Sequence, residues 1–272
     1  MADPSSRSEL RRRRAVRHRY AIGALALLIA LAAGGILLAT RGNDSAKGAA
    51  SPTSRAIAHP HTGAAITTSF SSAPLRAATT KGGDIAVYAT PDAAAQPVST
   101  LSAQTQYTLP RTLLAFDQYQ GWLHVYLPTR PNDSTGWVKT SDVTVSAPLV
   151  WQVKVSLAEH QVTLLHNGAV VFTAAAAIGT PDDPTPTGTF YYTDPIDLAT
   201  QPDSAYGVFA IGLSGHSNAL SEFEGGDAQI AIHGTNDPGS IGDDVSHGCV
   251  RVDNDVILKL AQLPLGTPVV IT

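Results

Sequence analysis

Between residues 151 and 157 the chain alternates apolar and polar side chains, with Trp151, Val153, Val155 and Leu157 set against Gln152, Lys154 and Ser156. Side chains flip face at each step of a strand, so this run predicts a β-strand with one buried face. Val162 to Leu165 and Val170 to Phe172 flank His166-Asn167-Gly168, and Asn-Gly between apolar runs predicts a tight hairpin. Gln229 to Ile232 predicts a strand ending at His233. Asn254 to Leu263 predicts a helix capped by Asp253 or Asn254, with Val256, Ile257, Leu260 and Leu263 on one face. Pro264 and Gly266 close it, and Pro268 to Ile271 predicts a last strand. Residues 148–272 therefore read as a β-rich unit with a short C-terminal helix.

A second set of short β-type runs precedes it: Ile85 to Tyr88, Tyr107 to Leu109, Leu113 to Phe116, Trp122 to Leu127 and Trp137 to Lys139. Short strands between turn clusters predict a small antiparallel β-barrel over 83–147, with Trp122, Tyr126 and Trp137 as candidate core. Residues 41–82 are dominated by Ala, Ser, Thr, Gly and Pro without hydrophobic period, the composition of a flexible linker. From Ala21 to Ala39 no residue is charged or strongly polar. As a helix that run is roughly 28 Å long, close to a bilayer's hydrocarbon thickness. Residues 20–40 are thus expected to form a transmembrane signal-anchor helix, with cleavage as a signal peptide the alternative.

Charge is distributed to match. Seven of the 18 Lys and Arg residues lie in the first nineteen positions. Basic residues before an apolar run stay in the cytoplasm, so 1–19 reads as a cytoplasmic basic segment and the rest as extracytoplasmic, on a single-pass membrane protein. Beyond position 19 there are 11 basic and 20 acidic residues. That balance argues against a nucleic-acid partner, which needs clustered Lys or Arg.

The chain has one cysteine, Cys249, within Ser246-His247-Gly248-Cys249-Val250-Arg251. It has no intramolecular disulfide partner, which leaves a nucleophile, an intermolecular disulfide or an inert buried thiol. A nucleophilic thiol needs a base in reach and donors for the oxyanion that follows. His233 stands sixteen positions earlier, across a loop rich in Gly, Asn, Asp, Pro and Ser that can double back. Gly248 can turn tightly and offer its own N–H and that of Cys249 to an oxyanion. Zinc held by His233, His247 and Cys249 is the metal alternative; no metal or other cofactor is expected. His216, in a Gly- and Ser-rich segment, reads as a surface loop residue.

The run HGTNDPGSIGDDVSHGCVRV, His233 to Val252, resembles the signature of the L,D-transpeptidase family with the YkuD-type catalytic domain. So does the segment Gly179-Thr180-Pro181 through Phe190. The resemblance implies a mostly β domain, with Cys249 as nucleophile and His233 as general base. His247, Gly248 and Arg251 match positions shaping the oxyanion and substrate site, and Ser246 reads as a turn hydroxyl beside them. The residue orienting His233 is left open: members use a backbone carbonyl, and Gly234 has no side chain. The implied activity is acyl transfer between peptidoglycan stem peptides, a tetrapeptide donor and an amine acceptor, in cell-wall biogenesis. Inactivation by carbapenem-type β-lactams follows from the same chemistry. Hydrolysis of the same acyl-enzyme, an L,D-carboxypeptidase activity, is the alternative, as is an inactive wall-binding protein. GWLHVYLPTRPNDSTGW, Gly121 to Trp137, resembles bacterial Src-homology-three-like modules, implying a wall-binding or spacer role.

Overall fold

The computed structural model describes residues 74–201 and 203–272. The basic segment 1–19, the anchor expected over 20–40 and residues 41–73 of the expected linker lie outside the described residues. Among the described residues no helix is long and apolar enough to cross a membrane. The described chain is mostly β with one short helix.

The first unit holds β1 (Arg76–Thr80), β2 (Ile85–Val87), β3 (Ser99–Leu101), β4 (Thr112–Tyr119), β5 (Trp122–Tyr126), β6 (Thr135–Lys139) and β7 (Val143–Pro148). Five strands form an antiparallel sheet in the order β6-β5-β4-β1-β7. A separate β2-β3 ribbon is bridged to β6 by Tyr88 and Trp137. This hydrogen-bonded order is that of an open sheet with an attached ribbon. β1 corrects the expected linker boundary, for its Arg-Ala-Ala-Thr-Thr sequence carries no large apolar side chain. It is nonetheless central, because Ala77 and Ala78 are buried and small enough to let neighbouring layers close over them. Tyr107 to Leu109 is also corrected: it is no strand, but lies in a turn closed by the Thr108 N–H on the Thr105 carbonyl and the Thr105 N–H on the Leu109 carbonyl.

The second unit holds β8 (Trp151–Ser156), β9 (Gln161–His166), β10 (Ala169–Ala175), β11 (Ile178–Gly179), β12 (Gly188–Asp197), β13 (Phe209–His216), β14 (Gln229–His233), β15 (Asp244–Ser246), β16 (Val250–Arg251), α1 (Asn254–Leu260) and β17 (Pro268–Ile271). Eight strands pair in the order β10-β9-β8-β17-β12-β13-β14-β16, parallel only at β17–β8 and β14–β16. The hairpin at Asn167-Gly168 forms with both residues at positive φ, 50° and 78°, as an Asn-Gly turn requires. The alternation of β8 holds, with Val153 and Val155 buried and Lys154 exposed. α1 stops at Leu260, three residues before the expected end. Its Ile257 and Leu260 join Val153, Val155, Val250 and Val269 in one core, each such side chain contributing about 1.5–3 kcal/mol on burial.

The two units share a packed boundary. Tyr191 of β12 is fully buried in the first unit's core and donates its hydroxyl hydrogen to the Tyr126 carbonyl at 3.3 Å. Asp133 accepts the Thr189 N–H at 2.9 Å. Asn132 grips His216 from both sides, accepting its N–H at 2.9 Å and donating to its carbonyl at 2.8 Å. Arg130 donates to the carbonyls of Ser217, Leu220 and Asp227, the latter two at 3.0 and 2.7 Å. These contacts set the position of residues 216–228, which border the site described next.

Candidate active site

His233 ends β14 and Arg251 pairs with it across the parallel β14–β16 ladder, with Ile232 opposite Val250. Cys249 is the residue just before Val250, so the ladder that orders His233 also delivers the thiol. Both residues line one cavity of about 190 Å³ together with Ser246, His247 and Arg251. The fold thus brings together five of the six candidate residues; the sixth, Gly248, forms the turn between them.

Gly248 has φ of +111°, a conformation that side chains resist. A Cβ there would also lie 3.1 Å from Ile230 Cδ1 and 3.6 Å from the Pro184 carbonyl oxygen. The second family-like segment is therefore packed beneath the Cys249 loop, where β11 also pairs with β15. Gly179 allows this, since a Cβ would meet the backbone of Asp183 to Thr185 at 2.3 to 2.8 Å. Ser246 is buried and is the hub of the turn: its Oγ accepts the Gly248 N–H at 3.1 Å and donates to the Cys249 carbonyl at 2.5 Å. The Gly248 N–H expected at an oxyanion is thus engaged by Ser246. The hydroxyl outcompetes because it sits two residues away in the same turn.

His233 is 3% exposed, and its Nδ1 lies 2.6 Å from the Gly234 carbonyl oxygen. A carbonyl only accepts, so Nδ1 carries the proton and Nε2 keeps the lone pair. That settles what orients the ring. Burial lowers the imidazole pKa to about 4, the Gly234 bond resisting and Arg251 adding to the fall. Burial pushes the Cys249 thiol up; the Ala231 backbone and Arg251 pull it back, and Glu224 pushes it further. At neutral pH the resting pair is therefore thiol and neutral imidazole rather than an ion pair. Tyr206 packs edge-on to His233 at 4.8 Å between ring centroids and donates to Glu224 at 2.7 Å.

Asn254 holds the other side of the histidine loop. Its Oδ1 accepts the N–H groups of Val208 and Thr235, both at 3.2 Å, and its Nδ2 donates to the Thr235 carbonyl at 3.0 Å. Arg251 has a buried Nε without a hydrogen-bond partner, and among the described residues it forms no salt bridge. Its charge is left for the cavity. His247 is exposed and packs on Phe223, ring centroids 5.1 Å apart. Among the described residues no three His, Cys, Asp or Glu side chains gather as a metal-holding group, His233, His247 and Cys249 included.

His216 departs from its expected surface place: it is buried at the end of β13, and its Nε2 meets Asp227 Oδ2 at 2.9 Å. Sequence reasoning also passed over Tyr206, Phe223, Glu224 and Gln229, which line the space around the thiol. Nothing local marks them, since they reach it through the register of β12 to β14 and the turn between β13 and β14.

Residues 151–271 match the sequence model of the YkuD family, the L,D-transpeptidase catalytic domain. YkuD of Bacillus subtilis (strain 168), an L,D-transpeptidase by name, is 34% identical over 122 residues, 44% of this chain and 65% of that protein. YqjB of the same strain, named likewise, is 37% identical over 109 residues, 36% of this chain and 57% of that protein. The matched stretch therefore spans less than two thirds of each relative's length. Among solved structures, Bdellovibrio bacteriovorus Bd1075 is similar at 28% identity, with a TM-score of 0.36 over 46% of this chain and 48% of that one. An L,D-transpeptidase from Mycobacterium tuberculosis is similar at 12% identity, with a TM-score of 0.41 over 60% and 90%. At the level of this domain, the chain has L,D-transpeptidase relatives.

Proposed function

We propose that residues 148–272 form the catalytic domain of an L,D-transpeptidase that cross-links peptidoglycan stem peptides through a thioester on Cys249. The observation that carries this reading is the shared cavity of Cys249 and His233, with Gly234 fixing the imidazole so that Nε2 is the basic nitrogen. In the first half-reaction Nε2 takes the thiol proton as Sγ attacks the carbonyl of the third stem residue. The C–N bond to the terminal D-alanine breaks, and the proton returns to the leaving amine. In the second, the acceptor amine attacks the thioester, its proton passes to Nε2 and then to the departing thiolate, and a new amide remains. Neither half needs a nucleotide or a metal. The unpaired Arg251 guanidinium offers a fixed charge to a substrate carboxylate.

The same proposal includes the signal-anchor over 20–40, which tethers the domain on the extracytoplasmic face by way of the linker. It also includes the Src-homology-three-like character of the first unit, whose open sheet and attached ribbon are compatible with it.

The test is intact-mass spectrometry of the full chain incubated with a disaccharide-tetrapeptide and, separately, with a carbapenem, beside Cys249→Ala. A thiol adduct and a cross-linked dimer in the wild type only are expected. Tripeptide without dimer would move the activity to the carboxypeptidase alternative. Turnover retained by Cys249→Ala would overturn the reading.

A further inference from the structure

Two hairpin tips meet beside Cys249. One belongs to the second unit, where Phe223 and Gly226 exchange backbone hydrogen bonds of 3.0 Å and Glu224 and Gly225 turn at positive φ. The other belongs to the first unit, where the turn at 105–108 is braced by Arg111, its Nε donating to the Ser102 carbonyl at 2.5 Å. Gln106 Nε2 donates to Gln229 Oε1 at 2.8 Å, and a Cβ on Gly226 would stand 3.8 Å from Gln106 Oε1.

Between the tips lies a cavity of about 250 Å³ with Cys249 in its wall. Three aromatic rings, Tyr107, Tyr206 and Phe223, and two carboxylates, Glu224 and Asp227, line it. Ile196 and Leu198 add aliphatic surface, and no Lys, Arg or His lines it among the described residues. A third carboxylate is buried behind the Gln229 side chain: Asp194 is 1% exposed, its Oδ2 accepts from Gln229 at 3.2 Å, and its Oδ1 has no hydrogen-bond partner. Aromatic faces and carboxylates around an apolar floor are the chemistry that holds an alkylammonium. Burial, then the charges of Asp194 and Asp227, push the Tyr107 phenol up to about 12, so it stays neutral and its oxygen can accept from an ammonium. The adjoining cavity shares Glu224 and adds the Arg251 guanidinium. The thiol stands where the two cavities meet.

We propose that the carboxylate-walled cavity is a subsite for a primary ammonium on a short aliphatic stem, and that Tyr107 and Gln106 of the first β unit are specificity-determining residues of the active site. This deepens the acyl-transfer reading above and rests on it for the identity of the substrate. The first unit on this account takes part in choosing which amine-bearing residue sits against Cys249.

The test uses the full chain and its single cysteine, so that intact mass follows Cys249 alone. Rates are measured with cationic aminoethyl methanethiosulfonate and anionic sulfonatoethyl methanethiosulfonate. In each reaction the thiolate forms a disulfide with the reagent and methanesulfinate leaves. Each rate is divided by that of free cysteine, and neutral iodoacetamide reports thiol reactivity separately. The wild type is expected to favour the cation by about tenfold or more. Tyr107→Ala should cut that preference about fivefold, in the range of a cation–π contact, with the iodoacetamide rate within about twofold, and Tyr107→Phe, which keeps the ring, should restore most of it. A preference unchanged in Tyr107→Ala, or one that falls only in step with the iodoacetamide rate, overturns the proposal. An intact, Tyr107-dependent preference in a protein that forms no cross-linked product removes the acyl-transfer reading and supports the ammonium subsite.

Discussion

His233 is fixed by its own neighbour: the Nδ1–H donates to the Gly234 carbonyl at 2.6 Å, within a loop that Asn254 holds from the other side. The bond selects one tautomer and aims one nitrogen, and it does so without a carboxylate. A backbone carbonyl supports the ring's orientation but provides no negative charge to stabilise an imidazolium, and burial then prevails. The imidazole is consequently neutral at neutral pH.

Acid stability should report this directly. The His233 pKa falls from 6.5 to about 4 on folding, so between those values the unfolded chain binds a proton that the folded protein does not. Stability is then full above about pH 6.5 and declines as the pH falls toward about 4, by on the order of 3 kcal/mol at most. Urea unfolding at intervals across that range should show the decline in the wild type and a shallower one in His233→Asn. Equal slopes would contradict the lowered pKa.

Alkylation of Cys249 should be slow at neutral pH and rise with a midpoint above that of an ordinary cysteine, because burial raises the thiol pKa. Arg251→Ala removes a charge that pulls the pKa down, so its rate profile should move to higher pH. Iodoacetamide rates followed from pH 6 to 10 would reveal the order; a shift to lower pH would refute the electrostatic role given to Arg251.

Asn254→Ala removes three hydrogen bonds and strands the Val208 and Thr235 backbone groups. A loss of about 3 kcal/mol in unfolding free energy is expected, together with reduced turnover as the Gly234 carbonyl loses its fixed place. Gly234→Ala should be at least as damaging, since its Cβ would lie 2.1 Å from Asn254 Oδ1. Chemical denaturation of both variants checks the ranking.

Arg130→Ala frees the carbonyls of Ser217, Leu220 and Asp227 together. The expected cost is about 2 kcal/mol, and amide hydrogen exchange should accelerate in residues 217–228 before it does in β13 or β14. Uniform acceleration across the second unit would show that Arg130 supports global stability rather than this segment.

The Cys249 and His233 pairing in one cavity was legible because its signal is local. Cys249 is the only cysteine, Gly248 sits beside it, and His233 closes a strand whose apolar pattern can be read in five residues. The hairpin at Asn167-Gly168 and the alternation of β8 were legible for the same reason. β13 was not, since all eight of its residues are buried and leave no alternation to detect. β1 was hidden by its alanines, and His216 by the polar residues around it, which surround a strand end pinned by Asn132. The aromatic and acidic wall around Cys249 was out of reach altogether. Gln106 and Gln229 lie far apart in sequence and meet only through the packing of two units, a relationship that no spacing encodes. Gly248 gives a further lesson: a glycine marks where the backbone turns, but the Ser246 hydroxyl decides which partner its N–H takes.

β17 has a consequence for how the chain is made. It lies between β8 and β12, and it is the strand through which the β8–β10 half of the sheet joins the half bearing His233 and Cys249. It is also the last described strand to leave the ribosome. Until residues 268–271 arrive, the two halves have no shared ladder, and the thiol has no completed sheet behind it. Assembly of the sheet behind Cys249 therefore waits on the synthesis of β17. A nascent chain that has not yet reached residues 268–271 carries its cysteine without the ladder that joins the two halves.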